Sequence, residues 1–143
     1  LSETGIRDLD YLIRCSELKS LNLSKCPELK PTEFRYLSYC NKLENLDLGG
    51  NEQTTDMSIL EDCKKLKTLD LNSSKIKYIS FLKNCKEITD LNLSGCEQIK
   101  DFSVLQQCEK LKKVDLSFCK IDDASIQLLR DKGIRVTTTT RSK

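Results

Sequence analysis

A single unit recurs along this chain, and nothing local can be read until that recurrence is fixed. Leu18-Lys-Ser-Leu21-Asn-Leu23-Ser-Lys-Cys26 reappears as Leu43-Glu-Asn-Leu46-Asp-Leu48-Gly-Gly-Asn51 and as Leu66-Lys-Thr-Leu69-Asp-Leu71-Asn-Ser-Ser74. It returns again as Ile88-Thr-Asp-Leu91-Asn-Leu93-Ser-Gly-Cys96 and Leu111-Lys-Lys-Val114-Asp-Leu116-Ser-Phe-Cys119. The units begin at 18, 43, 66, 88 and 111, so the spacings are 25, 23, 22 and 23 residues. Self-similarity at that period marks a solenoid, in which each coil buries its apolar positions only against its neighbours.

Each unit reads in two halves. The first, L-x-L, alternates with period two over a short run and predicts a strand. Stacked copies predict a parallel sheet with Leu21, Leu46, Leu69, Leu91 and Val114 in one inner row. Leu23, Leu48, Leu71, Leu93 and Leu116 form the next row. The second half is too short for a long helix and fits one helical turn. Its apolar residues are Met57, Ile59 and Leu60, then Ile79, Phe81 and Leu82, then Phe102, Val104 and Leu105. Asp56 and Asp101 stand where caps belong. Pro27 and Pro31 lengthen the first unit, and a short helix is expected over 32–39. The last unit, from Asp123, has helical spacing and is stopped by Gly133; Ile134-Arg-Val136 then reads as a final strand, and the polar tail from Thr137 to Lys143 should fray.

The pattern L-x-x-L-x-L-x-x-(N/C) resembles the leucine-rich repeat family over essentially the whole chain. The stretch from Cys85 to Ile99, C-x-x-L-x-x-L-x-L-x-x-C-x-x-I in form, resembles the cysteine-containing subclass. Repeats of 22 to 23 residues with Asn51 and Ser74 in place of the second cysteine resemble the shortest intracellular class. The resemblance implies an α/β fold: a right-handed solenoid with a curved parallel sheet on the concave face and short helices or turns on the convex face. Read this way, the chain is a single domain, 1–143. A partial repeat spans 1–17, followed by repeats at 18–42, 43–65, 66–87, 88–110 and 111–133, with a final strand and tail at 134–143. Leu1 aligns with Leu71, inside a repeat, which is the expectation for a fragment of a longer solenoid whose N-terminal edge exposes apolar surface.

Eight cysteines keep the phase of the repeat. Cys15, Cys40, Cys63, Cys85 and Cys108 each precede a repeat's first Leu or Ile by three residues; Cys26, Cys96 and Cys119 take the ninth position, shared with Thr4, Asn51 and Ser74. A cysteine that interchanges with Asn, Ser and Thr serves size and weak hydrogen bonding, and free Cys packs as a small hydrophobe. Equivalent positions in adjacent coils lie about 5 Å apart with side chains parallel, which suits neither a disulfide nor four converging zinc thiolates. The expectation is a reducing, cytoplasmic setting with no metal and no cofactor. Asn22, Asn72 and Asn92 open glycosylation sequons generated by the repeat itself, and sugar there would cover the concave face.

Catalysis finds no footing. The sequence has no histidine, which removes the commonest general base and the Ser-His and Cys-His pairs, and Gly49-Gly50 lacks the context of a phosphate loop. The net charge of +2 comes from interspersed acids and bases, so nothing argues for nucleic acid, and no apolar run approaches the roughly 20 residues of a membrane span. No small-molecule substrate is implied.

Strand alternation places the candidate partner-binding residues on the concave face: Asn22, Asp47, Asp70, Asn92 and Asp115 in one column, Asn72 in the next, Asp90 and Lys113 on the other side, with Phe118 beyond. The bland alternative is that the Asn and Asp residues are ordinary solvated strand positions. A strip of lysines at 42, 64, 65, 67, 86, 110, 112 and 113 could steer an acidic partner, or form a mixed edge with Glu17, Glu44, Glu61, Glu87 and Glu109. The resulting expectation is a non-catalytic protein–protein interaction module, a scaffold for a partner protein. Two alternatives stand beside it: the substrate-recognition part of an F-box-type ubiquitin ligase, which the resemblance to the cysteine-containing subclass implies, and a cell-surface or secreted recognition domain.

Overall fold

The computed structural model describes residues 1–139. Six three-residue strands, β1 (Ser20–Asn22), β2 (Asn45–Asp47), β3 (Thr68–Asp70), β4 (Asp90–Asn92), β5 (Lys113–Asp115) and β6 (Arg135–Thr137), pair in sequence order as one sheet. Every pairing is parallel, and the register runs Leu21↔Leu46↔Leu69↔Leu91↔Val114↔Val136. The expected inner row is therefore the centre of each strand. Leu23, Leu48, Leu71, Leu93 and Leu116 form the second row and are buried. Backbone bonding continues past the strands: Leu48 N–H donates to Asp70 O at 2.9 Å and Gly50 N–H to Asn72 O at 2.9 Å, and equivalent bonds recur in the other coils. Each coil thus satisfies its neighbour's backbone groups, so a three-residue strand is enough.

The other side of each coil turns through a 3₁₀ segment: Asp10–Arg14, Pro31–Tyr39, Ser58–Asp62, Ser80–Asn84 and Ser103–Gln107. The backbone N–H of the following cysteine closes the last turn in each case, as Cys63 does on Leu60 O and Cys85 on Leu82 O, both at 3.0 Å. Asp56 and Asp101 accept the N–H of Ser58 and Ser103 at 2.8 and 2.9 Å, closing a side-chain turn at the entry. The segment from Pro31 is 3₁₀ over all nine residues instead of an α-helix. Its buried residues explain this: Phe34 and Leu37, with Cys40 next, are three apart, and only a three-residue turn keeps such a row on one face.

Asp123–Asp131 is a true α-helix, α1, capped by the Asp122 carboxylate, which accepts from Ser125 N at 2.8 Å. Ile126 and Leu129 face the core, while Leu128 is half exposed. Gly133 ends the helix at φ +80°. The final strand lies one residue later than 134–136, because Thr137 O accepts from Leu116 N and so extends the ladder. The expected fray at 137 is corrected accordingly: Thr137 belongs to β6 and Thr139 O accepts from Phe118 N at 2.8 Å, while 140–143 lie outside the described residues. At the opposite end Leu1 and Ile13 are exposed and Leu9 and Leu12 are buried.

Two thiol ladders run through the stack, and all eight cysteines are free. At the ninth position the side chain reaches back one coil to the carbonyl of the last strand leucine. Cys26 Sγ meets Leu1 O at 3.2 Å, Cys96 meets Leu71 O at 3.1 Å and Cys119 meets Leu93 O at 3.1 Å. Asn51 Nδ2 makes the same bond to Leu23 O at 2.7 Å, which is why Asn and Cys interchange there. The other ladder, Cys40, Cys63, Cys85 and Cys108, packs at 3.8–3.9 Å from the carbonyls of Leu12, Leu37, Leu60 and Leu82. Burial pushes these thiols up, Cys63 to about 11 and Cys85 to about 12.

Candidate functional site

The outward side of the sheet lines an open groove of about 790 Å³ that runs across all six strands. Alternation fixes its composition, since the central residue of each strand is buried and its two neighbours point out. Two columns result. One is Ser20, Asn45, Thr68, Asp90, Lys113 and Arg135; the other is Asn22, Asp47, Asp70, Asn92, Asp115 and Thr137.

Of the residues singled out from sequence, Asn22, Asp47, Asp70, Asp90, Asn92, Lys113 and Asp115 line this groove. Asn72 and Phe118 do not. Asn72 folds its amide onto Asp70 Oδ1 at 2.7 Å. Phe118 occupies the turn after β5 at φ +61°, the left-handed position that Gly50 and Gly95 fill in other coils. Arg135 and Thr137 complete the groove at its C-terminal end. The signal for them was the period-two run at 134–136, but that strand lies outside the repeated unit.

The Asn/Asp column has a structural task that sequence reasoning missed. In each coil Oδ1 accepts the backbone N–H two residues on: Asn22 from Ser24, Asp47 from Gly49, Asp70 from Asn72 and Asp115 from Ser117 at 2.9 Å, and Asn92 from Ser94 at 3.0 Å. These Asx turns end the strands. The remaining oxygens of Asp47 and Asp70 accept from the Asn22 and Asn92 amides at 3.2 and 2.9 Å. The signal was legible as Asn or Asp two residues before Ser, Gly or Asn in every repeat.

The first column bonds sideways instead. Asn45 donates to Ser20 Oγ at 3.0 Å and Thr68 donates to Asn45 Oδ1 at 2.7 Å. Lys113 Nζ pairs with Asp90 at 3.0 Å. The Thr89 hydroxyl and then the Lys113 ammonium hold Asp90 below the usual carboxylate range. The lysine strip is a mixed edge in its paired members: Lys42–Glu17, Lys67–Glu44 and Lys110–Glu87 bridge successive coils at 2.6–2.7 Å. Among the described residues no group of three or more His, Cys, Asp or Glu could hold a metal ion, and no helix is long and apolar enough to cross a membrane.

Solved structures share this fold. An internalin, InlF, from Listeria monocytogenes is 22% identical with a TM-score of 0.83, covering 100% of this chain and 42% of its own. Internalin C2 of the same organism is 18% identical with a TM-score of 0.62, over 96% of this chain and 78% of its own. The functional domain of InlJ, described as including a cysteine ladder, is 16% identical with a TM-score of 0.71, over 99% of this chain and 35% of its own. The chain therefore spans less than half the length of InlF and of the InlJ domain. No curated protein matches the sequence. A model of two leucine-rich repeat copies matches residues 41–84 and again 64–107, and a single-repeat model matches 107–129. With matched repeats running from 41 to 129 and one repeat geometry from β1 to β6, the chain belongs to the leucine-rich repeat family.

Proposed function

We propose that this domain is a non-catalytic interaction module that holds a partner protein in the groove on the outer side of its sheet. Leucine-rich repeat proteins are in general protein-interaction modules, and the finer assignment concerns which face binds and what it takes. The observation that carries it is the column Ser20, Asn45, Thr68, Asp90, Lys113 and Arg135. These side chains line a groove of about 790 Å³ and make none of the Asx turns that occupy the neighbouring column. The partner is a polypeptide whose polar groups bond to this row. Neither a small substrate nor a nucleic acid suits a surface that mixes Asp90 and Asp115 with Lys113 and Arg135.

The test uses a partner captured from an extract of the native source and then purified. Thr68→Arg with Asp90→Arg should weaken its binding by at least about tenfold, as loss of a central contact does. Lys83→Glu, on the opposite side, should leave it unchanged. Retained affinity in the double variant, with circular dichroism intact, refutes the groove.

A cytoplasmic setting is part of the same proposal. It is supported by thiols stacked as packing groups, and by the sequon amides of Asn22, Asn72 and Asn92, each of which donates to an Asp. Counting thiols by alkylation with and without reductant, on denatured native protein, decides it. Eight free thiols support the cytosol; paired thiols or glycans would move the reading to a surface recognition domain.

A further inference from the structure

We propose that a second surface, the cleft framed by Lys77, Tyr78, Lys100 and Lys120, docks an acidic segment of a partner protein. Its frame is built from three successive coils. Lys77 and Tyr78 lie between β3 and Ser80–Asn84, Lys100 lies between β4 and Ser103–Gln107, and Lys120 lies between β5 and α1. Together with Glu97, Gln98 and Asp101 they enclose about 460 Å³, room for one or two side chains.

Tyr78 is the first observation. At its place in the repeat, coils two and four have Asp56 and Asp101, whose carboxylates accept the N–H of Ser58 and Ser103 and close the turn. Tyr78 gives up that turn and exposes 79% of its surface, the most of any large apolar residue described. A side chain that neither caps nor packs is not there for the fold, and tyrosine offers broad contact area at little entropy cost.

Charge supplies the second observation and chooses the occupant. On the opposite edge of the coils Lys42, Lys67 and Lys110 are tied to Glu17, Glu44 and Glu87 of neighbouring coils, while Lys64, Lys65, Lys86 and Lys112 form no salt bridge among the described residues but have no exposed aromatic ring beside them in a cleft. Among the described residues, Lys77, Lys100 and Lys120 form no salt bridge. Two carboxylates face them. Asp101 already accepts from Ser103 N, and Glu97 is the other. Three ammonium groups around an aromatic ring suit carboxylates flanking an apolar residue. The interleaved acids disfavour a continuous phosphate backbone. The sheet groove sets four carboxylates, Asp47, Asp70, Asp90 and Asp115, against Lys113 and Arg135 and so suits the same segment less well.

The experiment titrates the whole ¹⁵N-labelled chain with an acetylated hexaglutamate peptide, with hexalysine and the oligonucleotide dT12 as comparisons. Hexaglutamate should shift the amides of Lys77, Tyr78, Lys100 and Lys120 in a saturable way. Tyr78→Asp, which restores the turn made in coils two and four, should keep the fold and weaken binding at least about tenfold. Lys77→Glu with Lys100→Glu should abolish the shifts. Four results overturn the proposal: no saturable shift, shifts confined to Lys64, Lys65, Lys86 and Lys112, dT12 bound at the cleft more tightly than hexaglutamate, or Tyr78→Asp binding within about twofold of the parent. None of these bears on the sheet groove, whose variants are read with the purified partner.

Discussion

Replacing Asn51 tests the energetic account of the stack. Asn51 is 4% exposed and serves three backbone groups at once. Its Nδ2 donates to Leu23 O at 2.7 Å and Leu48 O at 2.8 Å, and its Oδ1 accepts from Cys26 N at 2.8 Å. Asn51→Ala orphans all three in a site closed to water. At about 1 kcal/mol net for each hydrogen bond the loss is about 3 kcal/mol, a large share of the 5–15 kcal/mol that holds a domain together. Asn51→Cys is the informative partner. The thiols of Cys96 and Cys119 replace only the bond to the previous coil's leucine carbonyl, with Cys96 also touching Ser74 Oγ at 3.3 Å, so a cysteine at 51 restores one of the three backbone contacts and should cost about 2 kcal/mol. Urea unfolding followed by circular dichroism measures both. The slope of the transition shows whether the stack still unfolds as one unit. Hydrogen exchange should find the Cys26 amide released in both variants. A cost below about 1 kcal/mol for Asn51→Ala, or a slow Cys26 amide, refutes the claim that this side chain links coils.

Two further perturbations read other parts of the core. Thr54 is fully buried, its hydroxyl has no partner, and it sits in the apolar column of Leu29 and Ile99; Thr54→Val should stabilise by about 1 kcal/mol, seen as a raised melting temperature, and a loss of stability would show that the hydroxyl is engaged. Burial holds Cys63 at about 11 and Cys85 and Cys119 at about 12, whereas unfolded thiols ionise near 9. Their contribution is whole below pH 9 and is lost as pH climbs toward 12, so the urea midpoint should fall across that window and flatten in a Cys85→Ala, Cys119→Ala variant. Native alkylation at pH 8 should spare Cys63 and Cys85, which are fully buried, and their rapid modification would contradict the burial.

The repeat made the architecture legible because the sheet adds coils at one register. Leu21, Leu46, Leu69, Leu91 and Val114 could be stacked on paper, and pair in that order. The type of turn on the far side was harder to read. Phe34, Leu37 and Cys40 do announce a period of three, but an eight-residue run between a proline and a cysteine also fits an α-helix, and only packing against the neighbouring coils decides between them. The candidate face was legible as a set of positions and not as a set of free groups. Asp47 and Asp70 look like ligands for a partner because sequence shows their charge and direction. It hides the N–H groups of Gly49 and Asn72 that they hold.

That difference bears on how the proposed groove is to be tested. A position required by the fold accepts only side chains that can do its work. From Asn22 to Asp115 the turn-closing column contains Asn and Asp alone, because the oxygen must reach the N–H two residues on. The column before it runs Ser20, Asn45, Thr68, Asp90, Lys113 and Arg135, changing size and sign from coil to coil. No backbone turn depends on it, so it varies within one chain at little cost in stability. Substitutions at Asn22, Asp47 or Asp115 would therefore disturb the fold itself, and a loss of affinity there would say little about contact in the proposed groove. Substitutions in the varied column leave the turns intact, which makes its six residues the place where the proposed groove can be tested without rebuilding the coil beneath it.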